Sequence, residues 1–239
     1  MSVPNSPAFW NRLANREVPE GELIPERWEL CQYPGVGPGA EILGDIGGRR
    51  VLELGCGDGS NLLALARQGA ECVGVDFAGD QLNRAKQRPG AEDILWVERD
   101  AADFLIDQPD ESWDFIVSIF GALEFSDPFR ILPQVRRALK PDGALVFATA
   151  DSHWLWQRDL VPELVDSELL WPTRTITGLA AWTAILHEQR MQVVWNRGVG
   201  PSEQISAHII WAERGGRPPL SQVLDDIPRG RGETTVAPC

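Results

Sequence analysis

The most constraining feature of this sequence is a glycine-rich segment at residues 51–61, VLELGCGDGSN. An apolar run that contains Glu53 leads into glycines at every second position, Gly55, Gly57 and Gly59. Glycine adopts backbone conformations that other residues avoid, and it lets a ligand approach the backbone closely. A helix that begins just after these glycines points its unpaired N–H groups and its positive dipole end at that ligand. The segment therefore predicts a buried strand, a ligand-binding turn and a helix.

The spacing of the glycines narrows the class of ligand. A dinucleotide-binding loop has the pattern G-x-G-x-x-G, in which the third glycine follows the second by three residues. Here Ser60 stands where that pattern requires glycine, because Gly59 comes one residue early. The pattern is E-x-G-x-G-x-G instead. A nicotinamide-dependent oxidoreductase is an alternative class, but this sequence lacks the loop expected of that class.

Composition sets the other bounds. A chain of 239 residues with 43% hydrophobic content fills one sizeable core. The net charge of −13 disfavours nucleic acid as a partner, because phosphate binding needs a clustered basic surface. Apolar stretches of membrane-spanning length and a signal-peptide pattern are absent, and four scattered cysteines fit a reducing compartment. We therefore expect a cytoplasmic enzyme, monomeric or homodimeric, that binds neither nucleic acid nor membrane.

From residue 49 the sequence alternates apolar strands with helical segments, which is typical of a doubly wound, mostly parallel α/β sheet. The seven predicted strands are 50–54, 72–76, 94–98, 115–120, 144–149, 191–197 and 204–213. The predicted helices are 8–16, 25–31, 60–68, 79–87, 127–139 and 177–189, the fifth with Asp127 as its cap and Pro128 in its first turn. A turn near Gly200 allows the last two strands to form a hairpin, so the last strand would run antiparallel. Residues 140–143 predict a tight turn before the strand at 144–149.

The same pattern divides the chain into three parts. Residues 1–44 are rich in proline and aromatic residues, and we expect them to form an N-terminal lid or arm. Residues 45–214 would form the core, with a tryptophan-rich insert on the substrate side at about 151–176. Residues 215–239 are rich in Gly, Pro and Arg, and we expect a flexible tail.

Further landmarks follow the glycine loop in a recognisable order. Asp76 ends the second predicted strand, Asp100 follows the third, and the fourth ends at Phe120. Residues 127–143 look like a helix and its Leu-Lys-Pro-Gly-Gly turn, with Asp142 in place of the first glycine. As a set, these motifs and the glycine loop resemble those of the class I S-adenosylmethionine-dependent methyltransferases.

The resemblance covers residues 45–150 well and 177–213 weakly. It implies a Rossmann-like methyltransferase fold, S-adenosylmethionine as cofactor and S-adenosylhomocysteine as product, and it leaves the methyl acceptor open. The residues that it implies around the cofactor are Glu53, Gly55, Cys56, Gly57, Asp58, Gly59, Asp76, Phe77, Asp100, Ala101, Ile119 and Phe120. Within this set, Glu53 corresponds to a position close to the amino group of the methionine part.

Four of these residues have two interpretations each. Glu53 lies close to the methionine amino group by resemblance, or the N–H groups of its own loop satisfy its carboxylate. A carboxylate at Asp76 can accept both hydroxyls of a ribose, or it can cap the helix at 79–87. Asp100 reaches the adenine amino group by resemblance, or it is an ordinary loop aspartate. Phe77 stacks on adenine, or it packs in the core.

Aromatic residues mark the predicted acceptor side. Tryptophan outnumbers tyrosine ten to one, and large rings beside a sulfonium desolvate it and attract it through their faces. The predicted substrate-binding residues are Trp10, Trp28, Tyr33, Trp154 and Trp156. The alternative for each ring is simple packing of the arm or the insert onto the sheet.

A general base is needed only where the acceptor arrives protonated, as a phenol or an alcohol does. Among three histidines, His153 lies just past the fifth predicted strand, at the edge where ligands bind in such sheets, and is the first candidate. Glu124, in the loop after the fourth strand, is the second. We expect His187 and His208 to be structural, and the sequence contains no metal-ligand spacing.

We therefore predict transfer of a methyl group to an oxygen or nitrogen atom, and less readily to carbon, of a small apolar or aromatic metabolite or natural product. A protein that binds S-adenosylmethionine without transferring a methyl group would carry the same motifs. That alternative and the oxidoreductase both stay open at this point.

Overall fold

The computed structural model describes residues 6–15, 27–151, 163–165, 168–170, 178–201 and 205–215. The strands are β1 Arg50–Leu54, β2 Glu71–Asp76, β3 Leu95–Glu98, β4 Trp113–Ile119, β5 Leu139–Ala150, β6 Glu163–Val165, β7 Glu168–Leu170, β8 Met191–Val199 and β9 Ala207–Arg214. Seven of them form one sheet in the order β3-β2-β1-β4-β5-β9-β8, while β6 and β7 form a separate antiparallel pair. β9 runs in the direction opposite to the other six strands of the large sheet. The predicted seven-stranded fold with an antiparallel last strand is confirmed.

The helices are α1 Pro7–Ala14, α2 Ser60–Ala66, α3 Gly79–Lys86, α4 Ala101–Ile106, α5 Ala122–Phe125, α6 Pro128–Ala138 and α7 Leu179–Glu188. The α6 helix begins as predicted, because the Asp127 carboxylate accepts the N–H of Phe129 at 2.9 Å and Pro128 occupies the first turn. Pro133 lies inside this helix without ending it. The helix predicted at 25–31 does not form over its described residues, 27–31.

The turn predicted at 140–143 is a bulge inside β5 instead. Trp113 of β4 pairs with Leu139, and Phe115 pairs with Ala144, so several residues of β5 stand opposite Asp114 alone. The Lys140 ammonium binds the Asp114 carboxylate at 2.7 Å. This contact links the bulge to β4.

Apolar clusters cover both faces of the sheet. One face packs against α2 and includes Leu62 and Leu65, together with Trp28 from the N-terminal segment. The other face packs against α4, α6 and α7, and includes Leu132 and Trp182. Sandwiching a parallel sheet between helices buries its strands on both sides, which fits the continuous apolar runs in the sequence.

The predicted arm contributes to two places. Its α1 helix packs on α3, and the Asn11 side chain accepts the N–H of Asp80 at 3.0 Å. Residues 40–43 form a 3₁₀ turn whose Ile42 is buried in the core. The tail beyond Gly215 and most of the predicted insert lie outside the described residues. Within the ranges described above, no helix combines the length and apolar character that a membrane span requires.

Candidate functional site

The glycine loop joins β1 to α2 in a sharp turn. All three of its glycines have a left-handed backbone, with φ of 74° at Gly55, 53° at Gly57 and 73° at Gly59. The N–H groups of Gly55 and Cys56 donate to the carbonyl oxygen of Val75 in β2, at 2.8 and 3.1 Å. Residues with side chains adopt such φ values at a cost, so this turn requires glycine.

Gly55 and Gly57 have different surroundings. A side-chain carbon added at Gly55 would lie 2.3 Å from the backbone nitrogen of Ala122, whereas one added at Gly57 would meet nothing nearer than Gln81 Oε1 at 4.0 Å. Gly55 therefore allows the loop to pack closely against α5. Gly57 leaves its backbone open on the side where a ligand would lie.

Asp76 ends β2, and its side chain binds the backbone of the glycine loop. Its carboxylate accepts the N–H of Gly57 through Oδ2 and the N–H of Ala78 through Oδ1, both at 2.9 Å. Burial raises the pKa of Asp76, while hydrogen bonds from Ala78, Gly57 and Phe77 oppose that rise. Because each carboxylate oxygen can accept more than one hydrogen bond, these contacts leave acceptor capacity for a ligand.

Glu53 supplies an unpaired buried carboxylate. Its side chain is 2% exposed, and Oε2 has no hydrogen-bond partner in the part of the chain that the structure describes. Burial, followed by the proximity of Asp58 and Asp76, raises the pKa of Glu53 well above its usual range. Asp58 is paired with Arg88. A cationic ligand group would satisfy Glu53, because an opposite charge favours the ionised form.

These residues surround a cavity of about 460 Å³ at the carboxyl ends of β1 to β4. Its volume is within the range of small-molecule sites. The predicted cofactor residues that line it are Glu53, Gly55, Cys56, Gly57, Asp58, Asp76, Phe77, Asp100, Ala101, Ile119 and Phe120. Gly59 is not among the described residues that line the cavity. It lies behind the loop, where an added side-chain carbon would collide with Trp96 Cη2 at 2.3 Å.

Asp100 caps α4 at the far end of the cavity. Its Oδ1 accepts the N–H groups of Ala102 and Asp103 at 3.1 and 3.0 Å. The Arg130 guanidinium donates to the same oxygen at 3.1 Å and also binds the Asp103 carboxylate. Asp100 is therefore a helix cap that also lines the cavity.

The end of β4 forms another wall. Phe120 has φ of 49°, an unusual value for a residue with a side chain, and its N–H donates to the carbonyl oxygen of Ala148 at 3.0 Å. The Ser118 hydroxyl donates to the carbonyl oxygen of Leu54 at 2.9 Å. Backbone strain of this kind persists only where the surroundings fix it, and it clusters at functional sites.

The structure places Glu124 away from the role predicted for it. Glu124 is 1% exposed, and its Oε1 accepts the Thr149 hydroxyl at 2.7 Å and the N–H of Ala150 at 2.6 Å. It is also missing from the described lining of the cavity. Because its carboxylate is held against the end of β5, the geometry argues against Glu124 as a base and assigns it to fixing α5 onto β5.

The insert residues His153, Trp154 and Trp156 lie outside the described residues, so their roles stay predictions. Asp151, which precedes these residues in the sequence, is described, and its Oδ2 lies 2.9 Å from His208 Nε2. The Nδ1 atom of His208 is buried without a hydrogen-bond partner among the described residues. This pair joins the start of β9 to the end of β5, which fits the expected structural role of His208.

Of the remaining predicted aromatic residues, one lies at the cavity, one lies in the core and one packs against the core. Trp10 lines the cavity and packs edge-on against Phe125, with 5.0 Å between ring centroids. Trp28 is fully buried in the core, and Tyr33 packs against the same cluster. Neither of these two belongs to the described lining of the cavity. For these two residues the placement favours packing, the alternative that the sequence left open.

Several lining residues were not predicted from the sequence. They are Ser60, Asn61, Val75, Gln81, Arg99, Ala102, Gly121, Ala122, Phe125, Ser126, Asp127 and Arg130. Most of them adjoin a predicted position, so extending each motif by a few residues would have found them. Arg130 lies in the helix predicted at 127–139 but had no predicted role, and only the fold brings it to the cavity.

The residues present fit a cationic nucleoside that carries an amino acid. Glu53 offers an unpaired oxygen to an ammonium group, and Gly57 offers open backbone beside it. Asp76 stands at the strand end where a ribose hydroxyl would bind, and Phe77 and Asp100 line the remaining wall. Fold and site together define an α/β domain that binds a nucleoside at the carboxyl edge of its sheet.

Residues 51–143 match the family model described as a methyltransferase domain. The chain is 34% identical over 120 residues to the demethylmenaquinone methyltransferase of Clavibacter sepedonicus, covering 50% of this chain and 45% of that protein. It is 30% identical over 158 residues to the fatty-acid O-methyltransferase of Mycolicibacterium smegmatis, covering 64% of this chain and 57% of that protein. The chain thus spans about half the length of these curated relatives.

Solved structures share the fold. An S-adenosylmethionine-dependent methyltransferase from Mesorhizobium loti superposes with a TM-score of 0.57 at 19% identity, covering 72% of this chain and 94% of that one. The 1,6-didemethyltoxoflavin-N1-methyltransferase of Burkholderia thailandensis, solved with 1,6-didemethyltoxoflavin and S-adenosylhomocysteine, gives 0.55 at 18% identity, covering 74% and 75%. The chain therefore carries the domain of the class I S-adenosylmethionine-dependent methyltransferases, as its motifs predicted. These similarities favour neither a nicotinamide-dependent oxidoreductase nor a protein that binds S-adenosylmethionine without transferring a methyl group.

Proposed function

We propose that this protein transfers a methyl group from S-adenosylmethionine to an oxygen or nitrogen atom of a small, largely apolar or aromatic metabolite. One observation carries the proposal. The buried carboxylate of Glu53, whose Oε2 has no hydrogen-bond partner among the described residues, lines the same cavity as the open glycine loop and the strand-end Asp76. This arrangement suits a ligand with an ammonium group at one end and a nucleoside at the other.

Each residue then has a distinct binding role. Glu53 binds the amino group of the methionine part, and the loop residues from Gly55 to Asp58 border its carboxylate and chain. Asp76 accepts the ribose hydroxyls while keeping its hydrogen bonds from the loop. Phe77 covers the adenine, and Asp100 accepts a hydrogen bond from the adenine amino group. The strands that lead to the glycine loop, to Asp76 and to Asp100 lie side by side as β1, β2 and β3, which supports this order.

S-adenosylmethionine supplies a methyl group that its sulfonium already activates. The protein has to exclude water and align the acceptor atom with the bond that breaks, and such positioning contributes much of the acceleration in reactions of this kind. The rings of Trp10 and Phe125 provide an apolar wall for both tasks. His153 stays our candidate for accepting a proton from a hydroxyl acceptor.

The relatives support the acceptor class. By their names, two curated relatives act on demethylmenaquinone and on fatty acids, and both of these compounds are largely apolar. One name specifies an O-methyltransferase, and a structural neighbour is named as an N1-methyltransferase. The acidic chain, with a net charge of −13, favours such a compound over a polyanion.

Incubation with methyl-labelled S-adenosylmethionine and a panel of hydroquinones, phenols, fatty acids and heteroaromatic amines tests the proposal. We expect label in the product of one acceptor class, with S-adenosylhomocysteine formed in equal amount. The Glu53→Gln variant serves as a control with weakened cofactor binding. Tight binding of S-adenosylhomocysteine without transfer to any acceptor would favour the non-transferring alternative, and absence of binding would overturn the proposal.

A further inference from the structure

Arg130 connects two helices at the nucleoside end of the cavity. It belongs to the first turn of α6, and its guanidinium binds Asp100 and Asp103 at the start of α4. The side chains of Arg130 and Asp100 both line the cavity. The proposed binding roles do not include Arg130, although its guanidinium contacts Asp100, the residue assigned to adenine.

The contacts of Asp100 are distributed unequally over its two carboxylate oxygens. The Oδ1 atom receives three donors, the N–H groups of Ala102 and Asp103 and the guanidinium of Arg130, at 3.1, 3.0 and 3.1 Å. No hydrogen bond of the described residues reaches Oδ2. Since Oδ1 is fully engaged on the helix side, Oδ2 is the oxygen available to a ligand.

We propose that Arg130 is a positioning residue that makes the site selective for the amino group of adenine. By holding Oδ1 toward α4, it turns Oδ2 of Asp100 toward the cavity and restricts rotation of the carboxylate. This inference rests on the proposed function, because it assumes that a nucleoside of this class occupies the cavity. It goes further in assigning base selectivity to a residue for which the sequence motifs gave no role.

The position of the pair separates a selectivity role from a stabilising one. The side chains of Arg130 and Asp100 are 48% and 39% exposed, and ion pairs this exposed contribute little to stability. The two backbone N–H groups still cap α4 without Arg130. Loss of Arg130 therefore leaves the helix in place and removes one of the three donors that fix the Asp100 carboxylate.

The test compares two ligands that differ at one position of the base. S-adenosylhomocysteine carries the amino group, and S-inosylhomocysteine carries a carbonyl oxygen in its place, which a carboxylate acceptor disfavours. Titration calorimetry on the full chain gives the ratio of the two dissociation constants. We expect wild type to prefer the adenosyl ligand by roughly tenfold or more, because a hydrogen bond to a charged acceptor is lost. In Arg130→Met we expect this ratio to fall to about threefold or less.

Three further variants test whether a change in this ratio comes from the contact between Arg130 and Asp100. Arg99→Met removes another arginine that lines the cavity but is paired with Asp107, so it should change both affinities by a common factor and keep the ratio. Asp103→Asn weakens one half of the bridge and should lower the ratio only partly. Asp100→Asn should abolish the preference by itself, and adding Arg130→Met should then change nothing more.

The outcomes are distinguishable. If wild type does not bind S-adenosylhomocysteine, the proposed function fails and the inference fails with it. If wild type binds both ligands equally, or Arg130→Met keeps the wild-type ratio, the inference alone is overturned. An equal loss of affinity for both ligands in Arg130→Met would show a merely structural role. If that variant does not fold, Arg130→Lys replaces it, since a lysine keeps the charge but cannot hold both carboxylates in one fork.

Discussion

The carboxylate of Asp76 accepts the N–H of Gly57 at 2.9 Å, and this hydrogen bond ties the end of β2 to the middle of the glycine loop. The same side chain accepts the N–H of Ala78 at the start of α3. Asp76 therefore shapes the loop before any ligand binds. Both interpretations of this residue from the sequence, local capping and ligand binding, are compatible with one geometry.

Substitution of Asp76 should weaken cofactor binding. Asp76→Ala removes a charged acceptor and leaves the Gly57 N–H unpaired, so we expect S-adenosylhomocysteine to bind roughly tenfold or more weakly by calorimetry. Asp76→Asn keeps one acceptor oxygen and should lose less. Asp110→Asn, at a residue 72% exposed, is the control and should bind like wild type. Unchanged affinity in Asp76→Ala would remove the ribose role.

Glu53 should make the stability of the unliganded protein depend on pH. Because burial raises the pKa of Glu53 in the folded protein, the folded state keeps the proton above pH 4.5, where the unfolded chain has released it. The stabilisation from Glu53 is fully present below that pH and is lost as the pH rises through the raised pKa. Asp76 contributes with the same sign.

Glu53→Gln isolates this effect, because glutamine has a similar shape and does not ionise. We expect the free energy of unfolding of the variant to fall less with rising pH than that of wild type, by denaturant titration at several pH values. Binding of a ligand ammonium should release the proton, so calorimetry in buffers of different ionisation enthalpy should show up to about one proton fewer released in the variant. Parallel stability curves would contradict the raised pKa of Glu53.

Three glycine substitutions should separate folding from binding. Gly57→Ala and Gly48→Ala both place a side chain at positive φ in open space, and each should cost about 1–2 kcal/mol of stability. Gly55→Ala should cost more, because its added carbon meets the backbone of Ala122. Of the two milder variants, only Gly57→Ala should also weaken binding of S-adenosylhomocysteine. Equal binding by Gly57→Ala and Gly48→Ala would show that no ligand lies against Gly57.

The parts of the fold that sequence predicted are those set by local pattern. Glycine spacing and apolar runs predicted the loop and the positions of the strands along the chain, and Asp127 predicted the start of α6. The bulge in β5 was missed because it depends on Lys140 reaching Asp114 of another strand. Arg130 was missed for the same reason, since its partner Asp100 lies 30 residues away along the chain.

The aromatic residues of the N-terminal segment show a second limit. Trp10 and Trp28 both lie among prolines and polar residues, and no periodicity distinguishes a ring at a cavity from a ring in the core. The structure separates them, because α1 packs on α3 whereas Trp28 packs against α2 and its neighbours. Burial of a single ring in an irregular segment is decided by tertiary packing, which sequence patterns do not encode.

Glu124 should behave as a structural acceptor and not as a base. Glu124→Ala leaves the Thr149 hydroxyl and the Ala150 N–H without their acceptor in a buried place, so we expect a loss of about 1–3 kcal/mol in the free energy of unfolding. Glu124→Gln keeps an acceptor oxygen and should lose less than half of that. Once an acceptor is identified, Glu124→Gln should retain transfer with the pH profile of wild type. Abolished transfer in a folded Glu124→Gln protein would restore the base role.

Trp10 should slow the release of ligand from the cavity. Its ring packs edge-on against Phe125, and such a pair contributes about 0.5–1.5 kcal/mol, so Trp10→Ala should raise the dissociation rate of S-adenosylhomocysteine by about two- to tenfold. Trp10→Phe keeps an aromatic contact, so its dissociation rate should lie between those of wild type and Trp10→Ala. Phe129→Ala truncates a ring that is 54% exposed and lies outside the described lining, so it is the control for loss of an aromatic side chain. Stopped-flow displacement measures all four rates, and equal rates for Trp10→Ala and wild type would mean that α1 does not cover the bound ligand.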